Sequence, residues 1–249
     1  MSISKETEQV IIGGLLGDSY IRQREKNCML QMQHGPAQEE YIRWKFSFLE
    51  KDGLNTPKGV FRIIVNSFGK QYPSFMCYTK QHYSLNPYRH LFYDGKKKIV
   101  TRNILNKLTP LGLAIWYMDD GSRNLQYRVN KQGVRYIGSR VLKICSDSFT
   151  YEEHLIIQQY FSVVWGIDMR IEKRNVGKPN ESYRCAFNAV NSNKLIPIIK
   201  PYIIPCLEYK IDLKYNAAVP SGDMIYSELD SDIQNSAEMT ESLDENEVI

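Results

Sequence analysis

Apolar residues follow a helical spacing from Lys5 to Gly17, where Val10, Ile11, Ile12, Leu15 and Leu16 surround Gly13, Gly14 and Gly17. Alternation replaces that period over Ile21–His34 and predicts a strand, with Met29, Gln31 and Gln33 on one face and Leu30 and Met32 on the other. The pattern then predicts a helix over Gln38–Leu49, strands over Gly59–Asn66 and Phe75–Thr79, and a short helix around Tyr88–Phe92. The second half repeats this order. A helix is predicted over Pro110–Met118, a strand over Val134–Cys145 and a helix over Tyr151–Trp165, followed by strands over Asp168–Lys173 and Ser182–Val190 and a helix over Asn193–Ile199. Thr150 followed by Glu153 offers a capping box for the Tyr151 helix. Asn55–Gly59 and Lys178–Asn180 read as turns.

One unit is therefore used twice, which constrains the fold more than any single element. The expected division is a first unit at 1–98, a linker at 99–107, a second unit at 108–220 and a tail at 221–249. Each unit opens with a helix that ends in acid: Val10–Tyr20 carries Asp18, and Leu111–Gly121 carries Asp119 and Asp120. Gly13, Gly14 and Gly17 in one helix, and Gly112 and Ala114 in the other, allow the two axes to approach closely. If they pair, Asp18 and Asp120 meet at the C-terminal ends. Carboxylates there oppose the helix dipole and repel each other, and divalent cations relieve both penalties. Carboxylates sharing such cations suit phosphodiester hydrolysis.

Charge sharpens this picture. Residues 221–249 contain nine acids and no lysine or arginine, so the net +4 of the whole chain conceals +13 on the first 220 residues. A body that basic attracts polyanions. The acidic tail reads as disordered, either a solubilising appendage or a competitor for the basic surface. Five scattered cysteines without a Cys-x-x-Cys pair read as reduced thiols and argue against a zinc finger. The chain shows no apolar run of membrane-spanning length, no signal or transit pattern, no glycine-rich phosphate loop and no nicotinamide fingerprint. His34, His82, His90 and His154 lack ligand spacing and read as surface or locally bonded residues.

The motifs Ile11–Ser19 and Leu113–Gly121, with Leu108–Gly121, Ser148–Glu153 and Lys200–Ile211 around them, resemble the single-chain, two-motif LAGLIDADG homing endonucleases. The likeness covers about 200 residues and is strongest toward the yeast mitochondrial enzymes with omega-type targets. It implies an α+β fold of two pseudo-symmetric αββαββα units forming a saddle and joined at their LAGLIDADG helices. It also implies a monomeric, Mg²⁺-dependent, site-specific double-strand DNA endonuclease that acts on a long asymmetric target and leaves short 3′ overhangs. Asp18 and Asp120 are then the metal-binding catalytic residues, with Asp119 in a supporting position. Counting from the motifs places a basic helper at Lys97, or Lys98 after a one-residue shift, and another at Lys210. The saddle's sheets would face DNA.

On those sheets, Arg22, Arg24, Gln31 and Gln33 in the first unit have side chains that match purine edges in the major groove. Arg123, Arg128, Arg135, Arg140, Lys143, Arg170, Lys173, Arg174 and Arg184 extend the set in the second. A same-fold protein that binds intron RNA as a maturase or splicing factor is the rival reading, and a scaffold-derived transcriptional regulator a third. The expected location is inside the cell, in a mitochondrion, a chloroplast or a prokaryotic cytoplasm, with no membrane partner.

Overall fold

The computed structural model describes residues 3–67 and 69–212, so the acidic segment 221–249 lies outside the described residues. By contact the chain divides into a main body, residues 1–126 with 139–213, and a second unit whose described part is the hairpin tip Tyr127–Gly138.

The first repeat runs α1 (Lys5–Leu16), β1 (Tyr20–Gln23), β2 (Cys28–His34), α2 (Glu39–Lys51), β3 (Phe61–Ser67), β4 (Lys70–Tyr78) and α3 (Asn86–Phe92). A short hairpin, β5 (Tyr93–Asp94) and β6 (Lys97–Lys98), and a single helical turn, α4 (Arg102–Leu105), lead to the second repeat. That repeat runs α5 (Pro110–Asp120), β7 (Gly121–Val129), β8 (Arg135–Ile144), α6 (Tyr151–Tyr160), β9 (Arg170–Arg174), β10 (Ser182–Ala186) and α7 (Ala189–Ile199). The two four-stranded sheets have matching orders, β1-β2-β4-β3 and β7-β8-β10-β9. The structure thus contains two pseudo-symmetric αββαββα repeats with paired first helices.

Three predicted elements differ in detail. The single strand expected over Ile21–His34 is a hairpin: the Arg24 N–H donates to the Asn27 carbonyl at 3.0 Å and turns the chain between β1 and β2. In sequence the polar run Arg22–Asn27 is compatible with strand as well as with a turn, because long polar side chains suit an exposed face of either. Gly121–Val129, where the sequence pattern predicts no strand, pairs with β8. The helix expected to reach Trp165 is α-helical only to Tyr160 and continues as a π-helical turn over Phe161–Trp165, ending at Gly166 in the left-handed region (φ 63°). The capping box on α6 is present, and Glu153 also accepts from the Val100 N–H at 2.8 Å, which ties α6 to the linker.

The α1–α5 crossing is built from glycine. A Cβ placed on Gly13 would lie 2.3 Å from the Gly112 carbonyl oxygen and 2.9 Å from Ile115 Cβ. At Gly112 a Cβ would meet Gln9 Oε1 at 2.4 Å. Gln9 uses the space to accept from the Thr109 N–H (2.9 Å) and donate to the Lys107 carbonyl (3.0 Å), which fixes the start of α5 against α1. Val10, Ile11, Leu15, Leu113, Ile115 and Trp116 are buried around the joint.

On an exposed helix Gly→Ala stabilises by about 1 kcal/mol. Here the sign reverses, because the new methyl meets a backbone carbonyl that cannot rotate away. Gly13→Ala is expected to cost about 2 kcal/mol net, read as a lower urea midpoint at unchanged slope.

Candidate active site

The crossing brings the ends of α1 and α5 together. Asp18 lies two residues beyond α1, with its side chain 46% exposed, and Asp120 is the last residue of α5. Between them Asp119 is fully buried at its side chain. Asp119 Oδ1 accepts from Lys45 Nζ and from Tyr41 Oη, both at 2.8 Å, and Oδ2 accepts from the Asp18 backbone N–H at 3.2 Å. Lys45 is itself completely buried, one turn along α2 from Tyr41. His34, at the end of β2, places Nδ1 3.7 Å from Asp18 Oδ2 and Nε2 3.8 Å from Asp119 Oδ1, while Nδ1 bonds Gln38 Oε1 at 3.0 Å.

The electrostatics follow from crowding. Burial, then repulsion from Asp18 and Asp119, pushes the Asp120 carboxyl up to about 8, with Lys98 opposing. Burial and Asp119 also raise Asp18. Burial would raise Asp119 too, but Lys45, His34 and Tyr41 outweigh it and hold that group below its ordinary value. Burial, with Lys45 nearby, lowers His34 to about 4 and keeps the imidazole neutral at physiological pH.

Two lysines complete the centre with related geometry. Lys98 Nζ donates to the carbonyls of Gly17 (2.8 Å) and Ser19 (3.0 Å), and Lys210 Nζ donates to those of Met118 (2.6 Å) and Asp119 (3.2 Å). Each therefore places positive charge on the C-terminal end of one motif helix, where the dipole favours it. Of the adjacent pair, Lys98 reaches the centre. Lys97 is exposed on β6, because alternation along the strand turns it to the opposite side.

Asp18, His34 and Asp119 each offer a ligand atom within 4.8 Å of the others, Asp18 exposed and the other two buried, and this cluster can hold a divalent cation. The raised Asp18 and Asp120 carboxyls supply a further reason for the fit, since excess negative charge with hard oxygen donors suits such an ion.

The sheet residues divide by register. Arg22 is paired with Met29, so Arg22, Gln31 and Gln33 share the face opposite Leu30 and Met32; Arg24 lies in the turn instead. In the second sheet Lys143, Arg170, Arg174 and Arg184 share one face, but Lys173 points the other way with Ile171 and Cys185. Several are already engaged: Lys143 with Glu172 (2.7 Å), Lys173 with Glu181 (2.9 Å), and Arg184 with Asp147 through Nε (2.8 Å). Arg123 donates to the Asp212 carbonyl at 3.1 Å. Within the hairpin tip, the Arg135 guanidinium stacks 4.0 Å from the Tyr127 ring centre and Arg128 lies across Gly138. The Arg140 side chain lies outside the described residues.

Sequence reasoning missed Lys45, Tyr41 and the burial of His34. Each had a signal. His34 continues the buried series Cys28, Leu30, Met32, and Lys45 occupies the apolar face of α2 with Ile42, Phe46 and Leu49. A lysine at such a position implies a buried acid nearby. Lys45→Met leaves the Asp119 charge uncompensated and is expected to cost about 3 kcal/mol at neutral pH, measured by urea unfolding.

Two repeated helix–sheet units, joined at glycine-lined helices that end in carboxylates, define a LAGLIDADG fold. The chain belongs to the LAGLIDADG DNA endonuclease family, whose model matches residues 8–195. Among curated relatives, "Probable intron-encoded endonuclease 1" of Wickerhamomyces canadensis is 27% identical over 216 residues, 84% of this chain and 85% of that protein. "DNA endonuclease I-ChuI" of Chlamydomonas applanata is 25% identical over 220 residues, 85% of this chain and 96% of that one. "Protein RecA" of Mycobacterium gastri is 29% identical over 214 residues, 84% of this chain, which spans only 48% of that protein. Among solved structures, the homing endonuclease I-WcaI bound to its DNA recognition sequence superposes with a TM-score of 0.73 at 23% identity, covering 86% of this chain and 89% of that one.

Proposed function

We propose that this protein is a monomeric homing endonuclease that cuts both strands of a long asymmetric DNA site, using Mg²⁺ and leaving short 3′ overhangs, as the omega-type resemblance implies. The observation that carries this reading is the meeting of Asp18 and Asp120 at the ends of paired motif helices, in a chain matched by a DNA endonuclease family. The names of the relatives support it: two are endonucleases, and I-WcaI is bound to DNA.

Asp18 and Asp120 would hold the metal. When bound, the cation supplies charge to the phosphate oxygens and acidifies a water. Lys98 and Lys210 each spend two ammonium donors on carbonyls, which leaves one N–H apiece for a phosphate oxygen or a water. Their fixed geometry requires no reorganisation when charge develops, the condition under which such groups are most effective. Arg22, Gln31 and Gln33, which share one sheet face, and Arg170 and Arg174, which share another, would contact DNA by edge or backbone.

The test starts from a duplex pool enriched for binding in EDTA. Addition of Mg²⁺ should yield two staggered cuts per bound duplex, and renewed chelation should abolish them. Preference for folded intron RNA over every duplex, with no cutting, would overturn the reading in favour of a splicing factor.

A further inference from the structure

The two motifs are not equivalent at the residue before the metal-binding acid. The second has Asp119 there, and the first has Gly17. The structure connects the two facts. A Cβ on Gly17 would lie 2.5 Å from Asp119 Cβ, so the space that a side chain would need in the first motif is filled by the acid of the second. From that space Asp119 Oδ2 accepts from the Asp18 backbone N–H at 3.2 Å. Its other oxygen, Oδ1, accepts from Lys45 and Tyr41. All three groups are buried, and both partners of Oδ1 come from α2, a helix of the first repeat.

From this we infer that Asp119 is a crossed positioning residue. It is carried by the second motif, and it fixes the backbone from which the first motif's Asp18 projects. Through these bonds Asp119 sets the position of Asp18. Lys45 and Tyr41 orient the carboxylate so that one oxygen faces the Asp18 N–H, and Lys45 supplies the charge that keeps it ionised in a dry site. Gly17 is needed because any larger residue would displace Asp119. The inference rests on the nuclease reading for its catalytic consequence and on geometry alone for the positioning.

Two double variants separate the acceptor from the charge. Asp119→Leu with Lys45→Met removes the ion pair and the acceptor, while the core keeps a similar volume, an exchange that buried ion pairs often tolerate. Asp119→Asn with Lys45→Met also removes the charges but keeps an amide oxygen for the Asp18 N–H. Two quantities are read on each: hydrogen exchange at the Asp18 amide in metal-free protein, and single-turnover cleavage at saturating Mg²⁺ on a duplex that the wild type cuts. Loss of one such hydrogen bond should speed exchange by roughly tenfold in the Leu/Met variant. Cleavage should slow by at least roughly tenfold, because small displacements of a reacting group cost that much or more, with duplex Kd unchanged. The Asn/Met variant should exchange within roughly threefold of wild type, since its acceptor is kept.

A folded Leu/Met variant with wild-type exchange, or with wild-type cleavage, overturns the inference. Equally faster exchange at the Asp18 amide in the two variants overturns it as well, because it would assign the effect to charge. Wild-type protein that cuts no duplex would sink the nuclease reading and this residue's catalytic role with it. A cutting wild type beside an equally active Leu/Met variant would sink the positioning role alone.

Discussion

Asp18→Asn and Asp120→Asn are each expected to slow single-turnover cleavage by about 10³-fold or more while duplex affinity in EDTA stays within a few-fold of wild type. The amide is nearly isosteric with the carboxylate and keeps the packing, but it removes the negative charge on which the proposed metal sites depend. Affinity should be retained because the basic residues proposed to contact DNA lie on the sheets and are untouched. Cleavage by either variant at the wild-type rate would remove that residue from the mechanism.

Asp120→Asn should also make the metal-free protein more stable in mild alkali. The Asp120 carboxyl is raised from an ordinary 3.8 to about 8 by burial and by Asp18 and Asp119. The folded state therefore binds more protons than the unfolded chain between those values. Stability linked to this group is fully present below pH 4 and is lost as pH rises through 8. Asparagine does not ionise and avoids the loss. After allowance for solvent at a half-buried group, the gain should be about 2–4 kcal/mol at pH 9 and near zero at pH 4, measured by urea unfolding in EDTA. Asp18→Asn should gain less, since Asp18 is much more exposed. Mg²⁺ should raise the stability of the wild type and narrow its gap to Asp120→Asn, because a ligand held by the folded state stabilises it. Equal stability of wild type and Asp120→Asn at pH 9 without metal would contradict the crowded-carboxylate geometry.

The order of elements and the paired helices were legible because the chain repeats itself and because glycine at Gly13 and Gly112 has one economical explanation, close approach. The two acids stood out for the same reason. Turn positions were harder: Arg24–Asn27 is polar whether it is extended or reversing, and only the bond from Arg24 to Asn27 distinguishes the two. Lys97 and Lys98 are adjacent and chemically identical, so choosing between them required the strand's alternation, which a two-residue strand does not reveal in sequence. Lys45 was hidden by convention, since lysine on a helix is ordinarily solvated. Its burial depends on Asp119, 74 residues away. The engagement of Lys143 by Glu172 and of Arg184 by Asp147 was also not legible, because it depends on register between strands.

Cleavage of duplex DNA at the paired helix ends is measured by cleavage selection. The protein and Mg²⁺ are incubated with a randomised duplex library large enough to sample long sites, and the cut ends are sequenced beside an Asp120→Asn control. The expected result is one long asymmetric sequence with paired cuts offset to leave 3′ overhangs, absent from the control. Cut ends equally frequent in the control, or no protein-dependent ends from folded protein that binds duplexes in the same library, would contradict it.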